Sequence, residues 1–507
     1  MASKKNINRR EFISAAAATA ATISIVPSHV LGGPKHIPPS DKITVANIGC
    51  GTQGLREMSG LLQNPEIQVV SVCDPNKFST DYLDWSANGI RNGIRQTLGD
   101  PNWGANLTGI PGGRDLGQEY VQKYYAKNKA SGKYRGCSSY EDFRELLAKE
   151  KDIDVIKIMT PDHLHATIAI AAMKKKKHII THKPIANRMM EGKLTIETAR
   201  KKKVITHLLA WNNRPEYELI LSWIKDGVIG TLKEIHNWSV RPVWPQWTAN
   251  PTEKVPIPEG FNWDLWLGPV PDRPFHPNYT HNVFRGWYDF GGGSIADMGH
   301  YSLFPLFITF GIDRAPVSAK AYGTTTRTTV NNVCRKVDNK VAFPYSCMIK
   351  FKFPEQKTLP AFDLYWYDGG MKPFTPEELA QDNQEISAEG MMFVGDKGKI
   401  IGGFHGENPR IIPASKMKAY EGPQVLDEIP DRSRGIQSRI WVKAIKENKE
   451  SPGSFLKAET VTEVINLGAI ALRTAKKIEY DSANTRITND EKANELLSRV
   501  YRSGWEL

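Results

Sequence analysis

Apolar runs of strand length alternate with helix-like segments over the first half of the chain. Five such runs predict β-strands: Ile43–Ile48, Val69–Cys73, Asp154–Met159, His178–Thr181 and Val204–Leu209. Between them, Leu55–Leu62 and Thr167–Met173 show the apolar spacing of helices. Strands that alternate with helices are typical of a parallel, doubly wound sheet. A Gly-, Asn- and Pro-rich insertion, 77–117, interrupts the pattern, and loops of this length are usually functional or ordered by their own contacts.

Beyond about Arg214 the pattern changes. Strand-like runs recur there without regular helices between them: Glu234–Val240, Val317–Tyr322, Tyr345–Phe353, Phe362–Tyr367 and Met391–Val394. Such runs predict an open, mainly antiparallel sheet, and helical spacing returns at Arg439–Lys446 and Glu459–Lys477. The predicted fold class is therefore α/β, with an N-terminal doubly wound domain at 42–211 and a C-terminal α+β domain at 212–507.

The N-terminus has the order of an export signal. Arg9 and Arg10 precede an apolar stretch, Ile13–Val26, which is shorter than the roughly 20 residues of a membrane-spanning helix. This order is typical of a twin-arginine signal, although an amphipathic helix with a chance arginine pair would look similar. We expect a signal at 1–33, a linker at 34–41, and a periplasmic protein that does not associate with the membrane once the signal is removed.

Composition excludes several broad classes. The chain has 507 residues, of which 40% are apolar and 24% charged, which is ordinary for a globular protein. The net charge of +12 comes largely from runs such as Lys174–Lys177 and Lys201–Lys203, at the ends of predicted helices, where cations complement the helix dipole. We therefore expect no nucleic-acid partner. Five cysteines, an odd number, argue against a disulfide framework.

A glycine loop supplies the first chemical signal. Gly49-Cys50-Gly51-Thr52-Gln53-Gly54 follows a predicted strand and opens a predicted helix, and Asp74 closes the next strand about twenty residues later. In this context glycines let the backbone approach a pyrophosphate, and the acid accepts the ribose hydroxyls. The sequence predicts a Rossmann domain that binds NAD. NADP is disfavoured because Asp74 would repel its 2′-phosphate, and the alternative is a glycine turn that binds nothing.

Further motifs follow in a fixed order. Thr160-Pro161-Asp162-His163-Leu164-His165 precedes His182-Lys183-Pro184. The second half adds Asn262–Pro269, Trp287–Gly293, Asp297–His300 and Tyr501–Trp505. In order and spacing, these motifs and the glycine loop resemble the glucose–fructose oxidoreductase / inositol dehydrogenase (Gfo/Idh/MocA) family. That family usually has a Thr-Pro-Asn-x-x-His turn, an Ala-rich helix, a short strand and Glu-Lys-Pro. The resemblance covers the chain from about Lys42 onward.

The resemblance implies roles for individual residues. Lys183 would lie beside the nicotinamide and hydrogen-bond the reacting hydroxyl, and Asp297 would orient His300 as the general acid/base. Besides the glycine loop and Asp74, the cofactor would contact Thr160, Asp162, His165, His182, Lys183 and Asn212. The substrate would contact Arg285, Trp287 and Tyr301.

Two positions depart from the family pattern. His182 replaces the usual Glu before Lys-Pro, so the charge pairing of Lys183 differs. The family commonly places His four residues after Asp, whereas here Tyr301 occupies that position and His300 precedes it. Either a local shift keeps His300 in place, or Tyr301 takes part in proton transfer.

Three functions remain open at this point. The first is an exported oxidoreductase that transfers hydride between tightly bound NAD and a sugar or polyol carbinol. The second is a redox-neutral glycosidase or lyase that transiently oxidises C3 of a sugar, and the third is a non-catalytic binding protein. Trp244 and Trp247 lie in a Trp- and Pro-rich stretch that suits sugar rings or simply covers the sheet. We expect a small carbohydrate substrate, a homo-oligomer (dimer or tetramer) by resemblance, and no metal, since His163 and His165 lack partners at ligand spacing.

Overall fold

Parallel strands build the first sheet, as the alternating pattern predicts. The computed structural model describes residues 37–127, 129, 131–426 and 431–507, so the predicted signal at 1–33 lies outside the described residues. Within them the first sheet has six strands: β1 Ile43–Ile48, β2 Ile67–Cys73, β3 Ser138–Tyr140, β4 Val155–Ile158, β5 His178–Thr181 and β6 Thr206–Leu208. Their spatial order is β3-β2-β1-β4-β5-β6, and every neighbouring pair is parallel.

Helices cover both faces of this sheet. They are α1 Thr52–Leu62, α2 Gly89–Leu98, α3 Arg114–Ala126, α4 Phe143–Lys149, α5 His165–Lys174 and α6 Met189–Lys202. Every residue of β4 is buried, as expected for a strand covered on both faces. Strand order reverses between β1 and β4, and the crevice at the carboxyl ends of such strands is where α/β sheets bind ligands.

The second sheet is mixed and larger. Its strands are β7 Leu232–Trp238, β8 Ser318–Gly323, β11 Cys347–Phe353, β12 Phe362–Tyr367, β13 Gly390–Gly395, β14 Lys399–Gly402, β15 Arg410–Ile412, β16 Ile478–Asp481 and β17 Arg486–Ile487, while β9 Arg327–Val330 and β10 Val333–Lys336 form a separate hairpin. The order is β15-β14-β13-β7-β12-β11-β8-β16-β17. Only the β7–β12 pair of this sheet, as far as the structure describes it, is parallel. The predicted fold class is confirmed.

Helices cover one face of the second sheet. The remaining helices are α7 Pro215–Lys225, α8 Trp263–Leu267, α9 His300–Phe310, α10 Glu377–Gln381, α11 Ala414–Ala419, α12 Arg434–Lys446 and α13 Glu459–Thr474. Phe307 of α9 packs on Phe353 of β11. Because burial alternates along β11, one face carries the core, as in an antiparallel sheet covered on one side. In the described part of the chain, no helix is long and apolar enough to cross a membrane.

Helix α12 returns to the first sheet layer. Trp441 and Val442 belong to the same buried cluster as Leu55 of α1, and Asn64 Nδ2 donates to Ser438 Oγ at 3.0 Å. Both sheets lie in one unit, Ile43–Leu507. The predicted boundary at 211/212 stays a prediction, and a helix from beyond it completes the first layer.

The insertion at 77–117 is ordered by its own contacts. It contains α2, which the sequence pattern did not predict, and the start of α3. Arg91 donates to the carbonyl oxygens of Leu107 and Gly109 at 2.6 and 2.5 Å, and this folds the segment back on itself.

Candidate active site

A deep cleft opens at the carboxyl ends of β1, β4 and β5 and extends to the second sheet. Its volume is about 420 Å³, within the ~300–1,000 Å³ of common small-molecule sites. Most of the predicted site residues line it: Gly49, Gly51, Thr52, Gln53, Asp74, Thr160, His182, Lys183, Arg285, Asp297 and Tyr301.

The glycine loop has the shape that the sequence predicts. Gly49 has φ of +100°, and a Cβ there would lie 2.5 Å from the Met159 carbonyl group. A Cβ on Gly54 would lie 2.1 Å from the Gly49 oxygen, so these glycines allow β1, α1 and β4 to meet. Gly51 precedes α1 without a side-chain cap, which leaves first-turn N–H groups available to an anion.

Asp74 stands at the end of β2, beside this loop. Its Oδ2 accepts a hydrogen bond from the Cys50 N–H at 2.6 Å, and its Oδ1 accepts one from the Asn76 N–H at 2.9 Å. Burial raises the pKa of this carboxyl, partly offset by those two bonds. Each carboxylate oxygen keeps a further lone pair, so the donors and acceptors present fit a dinucleotide: N–H groups for phosphate and an acceptor for ribose.

Lys183 and Asp297 join the two halves of the cleft. Lys183 follows β5, is 2% exposed, and donates from Nζ to Asp297 Oδ1. Arg285 Nε lies 3.2 Å from the same oxygen. Burial lowers the pKa of Lys183, although Asp297 opposes this effect. Burial alone would raise the pKa of Asp297, but Lys183 and Arg285 hold it below its usual value, so the carboxyl is ionised.

A π-helical turn determines which side chain after Asp297 lines the cleft. The turn spans Ile295–Gly299, and α9 begins at His300. Successive helical residues are rotated by about 100°, so His300 and Tyr301 cannot share a face. Tyr301 lines the cleft, whereas His300 is fully buried with Nδ1 3.0 Å from the Ala296 oxygen.

This geometry does not fit the acid/base role predicted for His300. Its Nε2 is buried and, among the described residues, has no hydrogen-bond partner. Burial lowers its pKa to about 3, so the ring is neutral, and it is not among the residues that line the cleft. Of the two alternatives left open by the sequence, Tyr301 is among the residues that line the cleft and His300 is not.

Tyr301 is hydrogen-bonded to the residue that replaces the family's Glu. Its hydroxyl lies 2.7 Å from His182 Nε2, and Lys183 Nζ lies 5.2 Å from the centre of its ring. Burial, followed by the charge of Lys183, lowers the pKa of His182 well below its usual value. A neutral imidazole therefore partners the phenol.

Other predicted cofactor residues support the cleft from behind. His165 Nδ1 lies 2.6 Å from the Pro184 oxygen and its Nε2 lies 2.8 Å from the Thr160 oxygen, tying the turns after β4 and β5 together. Asp162 Oδ2 accepts from the Gly292 N–H at 3.2 Å, and burial raises its pKa to about 6. Neither residue lines the cleft, nor do Gly54 and Asn212.

Trp287 does not reach the cleft, contrary to its predicted substrate role. It is 1% exposed, stacks on Trp247 with ring centres 5.5 Å apart, and donates from Nε1 to the Asn278 oxygen at 2.7 Å. Both sides of its ring are occupied by the aromatic core of this segment.

Several residues that sequence reasoning missed line the cleft: Tyr82, Trp85, Arg214, Arg241 and His405. Trp244, from the Trp- and Pro-rich stretch, also lines it. Tyr82 and Trp85 come from the insertion, and the others come from loops of the second half, where no local pattern marks them. The described residues hold no group of three or more His, Cys, Asp or Glu side chains that could bind a metal ion.

Two family models match the chain. The Gfo/Idh/MocA model described as "Oxidoreductase family, C-terminal alpha/beta domain" matches residues 220–357 and 377–507. The model described as "Oxidoreductase family, NAD-binding Rossmann fold" matches residues 116–209.

Curated relatives match over part of their length. Levoglucosan dehydrogenase of Pseudarthrobacter phenanthrenivorans is 36% identical over 115 residues, which is 21% of this chain and 29% of the relative. A glycosyl hydrolase family 109 protein of Shewanella putrefaciens is 24% identical over 243 residues, 45% of this chain and 44% of the relative. The chain thus aligns with less than half of either relative.

Solved structures share the fold. The WlbA dehydrogenase from Bordetella pertussis, in complex with NADH and UDP-GlcNAcA, has a TM-score of 0.51 at 12% identity, covering 87% of this chain and 99% of that one. The apo form of levoglucosan dehydrogenase has a TM-score of 0.50 at 16% identity, covering 87% and 98%.

Proposed function

The chain belongs to the Gfo/Idh/MocA family of oxidoreductases, and on this premise we propose that it transfers a hydride between NAD and a carbinol carbon of a sugar or polyol. The observation that carries the proposal is that one cleft contains both the predicted cofactor-binding residues and the predicted catalytic residues. The glycine loop and Asp74 form one end, and the Lys183–Asp297 pair with Tyr301 forms the other. A sugar dehydrogenase among the curated relatives supports the substrate class.

The chain's own residues position the hydroxyl and move its proton. NAD, when bound, supplies the hydride acceptor. The Lys183 ammonium donates a hydrogen bond to the reacting oxygen and stabilises the negative charge that develops there. Asp297 fixes Lys183 through their ion pair. Tyr301 accepts the hydroxyl proton, and its own proton passes to His182 along their hydrogen bond.

Replacing Lys183 tests this function. Lys183→Met keeps the length of the side chain and removes the charge and the donor. We expect NADH formation from a responsive sugar to fall by about 10² or more, while NAD binding measured by calorimetry is retained, since the loop and Asp74 are untouched. Lys340→Met, at a side chain that is 79% exposed, is the matched control. Wild-type turnover in Lys183→Met would place the chemistry elsewhere.

A redox-neutral reaction is the second candidate, suggested by the likeness to a glycosyl hydrolase family 109 protein. In that reaction NAD would be reduced and reoxidised within each cycle, with loss of a proton from the carbon next to the oxidised centre. Deuterium exchange at that carbon without net NADH indicates this cycle, whereas stoichiometric NADH without exchange indicates a simple dehydrogenase.

We also propose that the protein is exported with its cofactor and acts as a homo-oligomer. The arginine pair and Ile13–Val26 support the first part. Because free NAD is scarce outside the cytoplasm, the cofactor would have to travel bound. The double variant Arg9→Lys/Arg10→Lys should abolish export, and native mass spectrometry of protein purified without added NAD should find one NAD per chain and report the oligomeric state.

A further inference from the structure

Four Lys and Arg side chains line the cleft: Lys183, Arg214, Arg241 and Arg285. Lys183 and Arg285 both contact Asp297, and Asp162 lies close enough for its pKa to respond to both. Arg214 has a separate partner, described next. Among the described residues, Arg241 has no carboxylate within ion-pair distance.

Arg214 is held by a second acid. Its Nη1 lies 3.2 Å from Glu407 Oε1, which also accepts a hydrogen bond from His405 Nδ1 at 2.8 Å. Burial alone would raise the pKa of Glu407, but His405 brings it down to about 2. Glu407 is therefore ionised and pairs with Arg214, so that Arg241 is the cleft guanidinium without a directly paired carboxylate among the described residues.

Arg241 also has hydrogen-bonding capacity that the chain does not use. Its Nε is buried without a partner in the described residues, as are Arg214 Nε and the indole Nε1 of Trp244. All three residues line the cleft. Buried donors are nearly always paired, so this concentration indicates that an acceptor outside the chain belongs here.

The backbone fixes Arg241 where it stands. It follows β7, its N–H donates to Ser239 Oγ at 3.3 Å, and its carbonyl accepts from the Gly369 N–H at 2.5 Å. Trp244, three residues on, is 6% exposed, with the Arg285 guanidinium 6.0 Å from its ring centre. An aromatic surface thus lines the same cleft as Arg241.

We propose that the substrate is an acidic sugar, whose carboxylate pairs with Arg241. This rests on the proposed function and names the class of its substrate. The planar guanidinium of Arg241, whose Nε is buried without a partner among the described residues, matches a carboxylate through two parallel hydrogen bonds. Sulfated and phosphorylated sugars offer related oxyanions, and the cofactor's pyrophosphate is the other anion within the cleft.

Matched sugar pairs test the proposal. The NAD-loaded protein is titrated by calorimetry with glucose and glucuronate, galactose and galacturonate, and glucose 6-sulfate and 6-phosphate. We expect each uronate to bind at least about tenfold more tightly than its neutral partner. In Arg241→Met that preference should disappear, and in Arg241→Lys, which keeps the charge and loses the planar fork, it should recover in part. Arg486→Met, at a side chain that is 61% exposed, is the control.

Each other outcome has a definite meaning. Tighter binding of the sulfate or phosphate ester than of the uronate would overturn the carboxylate assignment. An Arg241→Met variant that loses NAD affinity as much as uronate affinity would assign Arg241 to the cofactor. Equal binding of neutral and acidic sugars overturns this proposal alone. The proposed function fails separately, if no sugar that binds yields NADH or isotope exchange.

Discussion

At the scale of single residues, a rotation of about 100° along one helix decides which side chain faces the cleft. Tyr301 reaches the cleft and His182, whereas His300 is enclosed by the core. In the proposed function the Tyr301 phenol acts on the transition state, whereas the buried His300 imidazole contributes to the stability of the fold.

We therefore expect Tyr301→Phe and His300→Asn to differ in kind. Tyr301→Phe should lower kcat by about 10² with a smaller change in KM and an unchanged melting temperature. His300→Asn should lower the melting temperature and leave the kcat of the folded protein within a few-fold. Steady-state kinetics and thermal unfolding of both variants provide the comparison. The reverse pattern would return the acid/base role to His300.

Asp162 makes stability depend on pH. Burial raises its pKa from 3.8 to about 6, so between these values the folded state binds more protons than the unfolded state. This contribution to stability is present at low pH and is lost as the pH rises through about 6.

Asp162→Asn keeps an acceptor for the Gly292 N–H and removes the titration. From pH 4 to pH 7 the wild type should lose stability relative to the variant, by on the order of 3 kcal/mol. Urea unfolding without cofactor at four pH values measures the difference. A constant difference across that range would mean that Asp162 titrates normally.

At the scale of elements, the start of α1 requires glycine at position 54, because the backbone of Gly49 leaves no room for a side chain there. A Cβ on Gly54 would lie 2.1 Å from the Gly49 oxygen, whereas a Cβ on Gly93, at an exposed position of α2, meets nothing within 4 Å. Gly54→Ala should displace α1 from the loop and weaken NAD binding by tenfold or more. Gly93→Ala should leave binding intact and add up to about 1 kcal/mol of stability. Calorimetry with NAD and urea unfolding test the pair, and equal NAD affinity in both would mean that the loop has been misread.

Helices and strands were predictable where burial gives the sequence a regular spacing of apolar residues. Ile43–Ile48, His178–Thr181 and Phe362–Tyr367 have the predicted bounds. The short strands β3, β16 and β17 carry too few apolar positions for a period to show. Helix α2 was missed because its Gly- and Asn-containing sequence has low helix propensity and tertiary contacts stabilise it.

At the scale of the whole molecule, Trp505 ties distant segments together. It is 5% exposed, with its ring centre 6.1 Å from that of Phe143 in α4 and a ring carbon 3.5 Å from the Cβ position of Gly268. Trp505→Ala should cost about 3–5 kcal/mol of unfolding free energy. Phe374→Ala, at a side chain that is 99% exposed, should change it by less than about 0.5 kcal/mol. Similar values for the two variants in urea would show that this contact contributes little.

The sequence predicted the cofactor end of the candidate site more completely than the substrate end. The glycine loop and Asp74 follow one strand and one helix, so local sequence was sufficient. Arg241 and His405 enter the cleft from loops whose positions depend on how the second sheet packs, which no local pattern encodes. Whether residue 300 or residue 301 faces the cleft depends on the π-helical turn at Ile295–Gly299, and packing, not local sequence, determines that turn.

The return of α12 to α1 has a consequence for the order of synthesis. Asn64 and Ser438, which join the two helices, are 374 residues apart. At about 5–20 residues per second, translation takes roughly 20–75 s to cover that distance. Throughout that interval the surface of α1 that Trp441 later covers is open to solvent, and the layer beneath the glycine loop is incomplete. A chain stalled on the ribosome before α12 would therefore leave the face of α1 that Trp441 covers exposed to solvent.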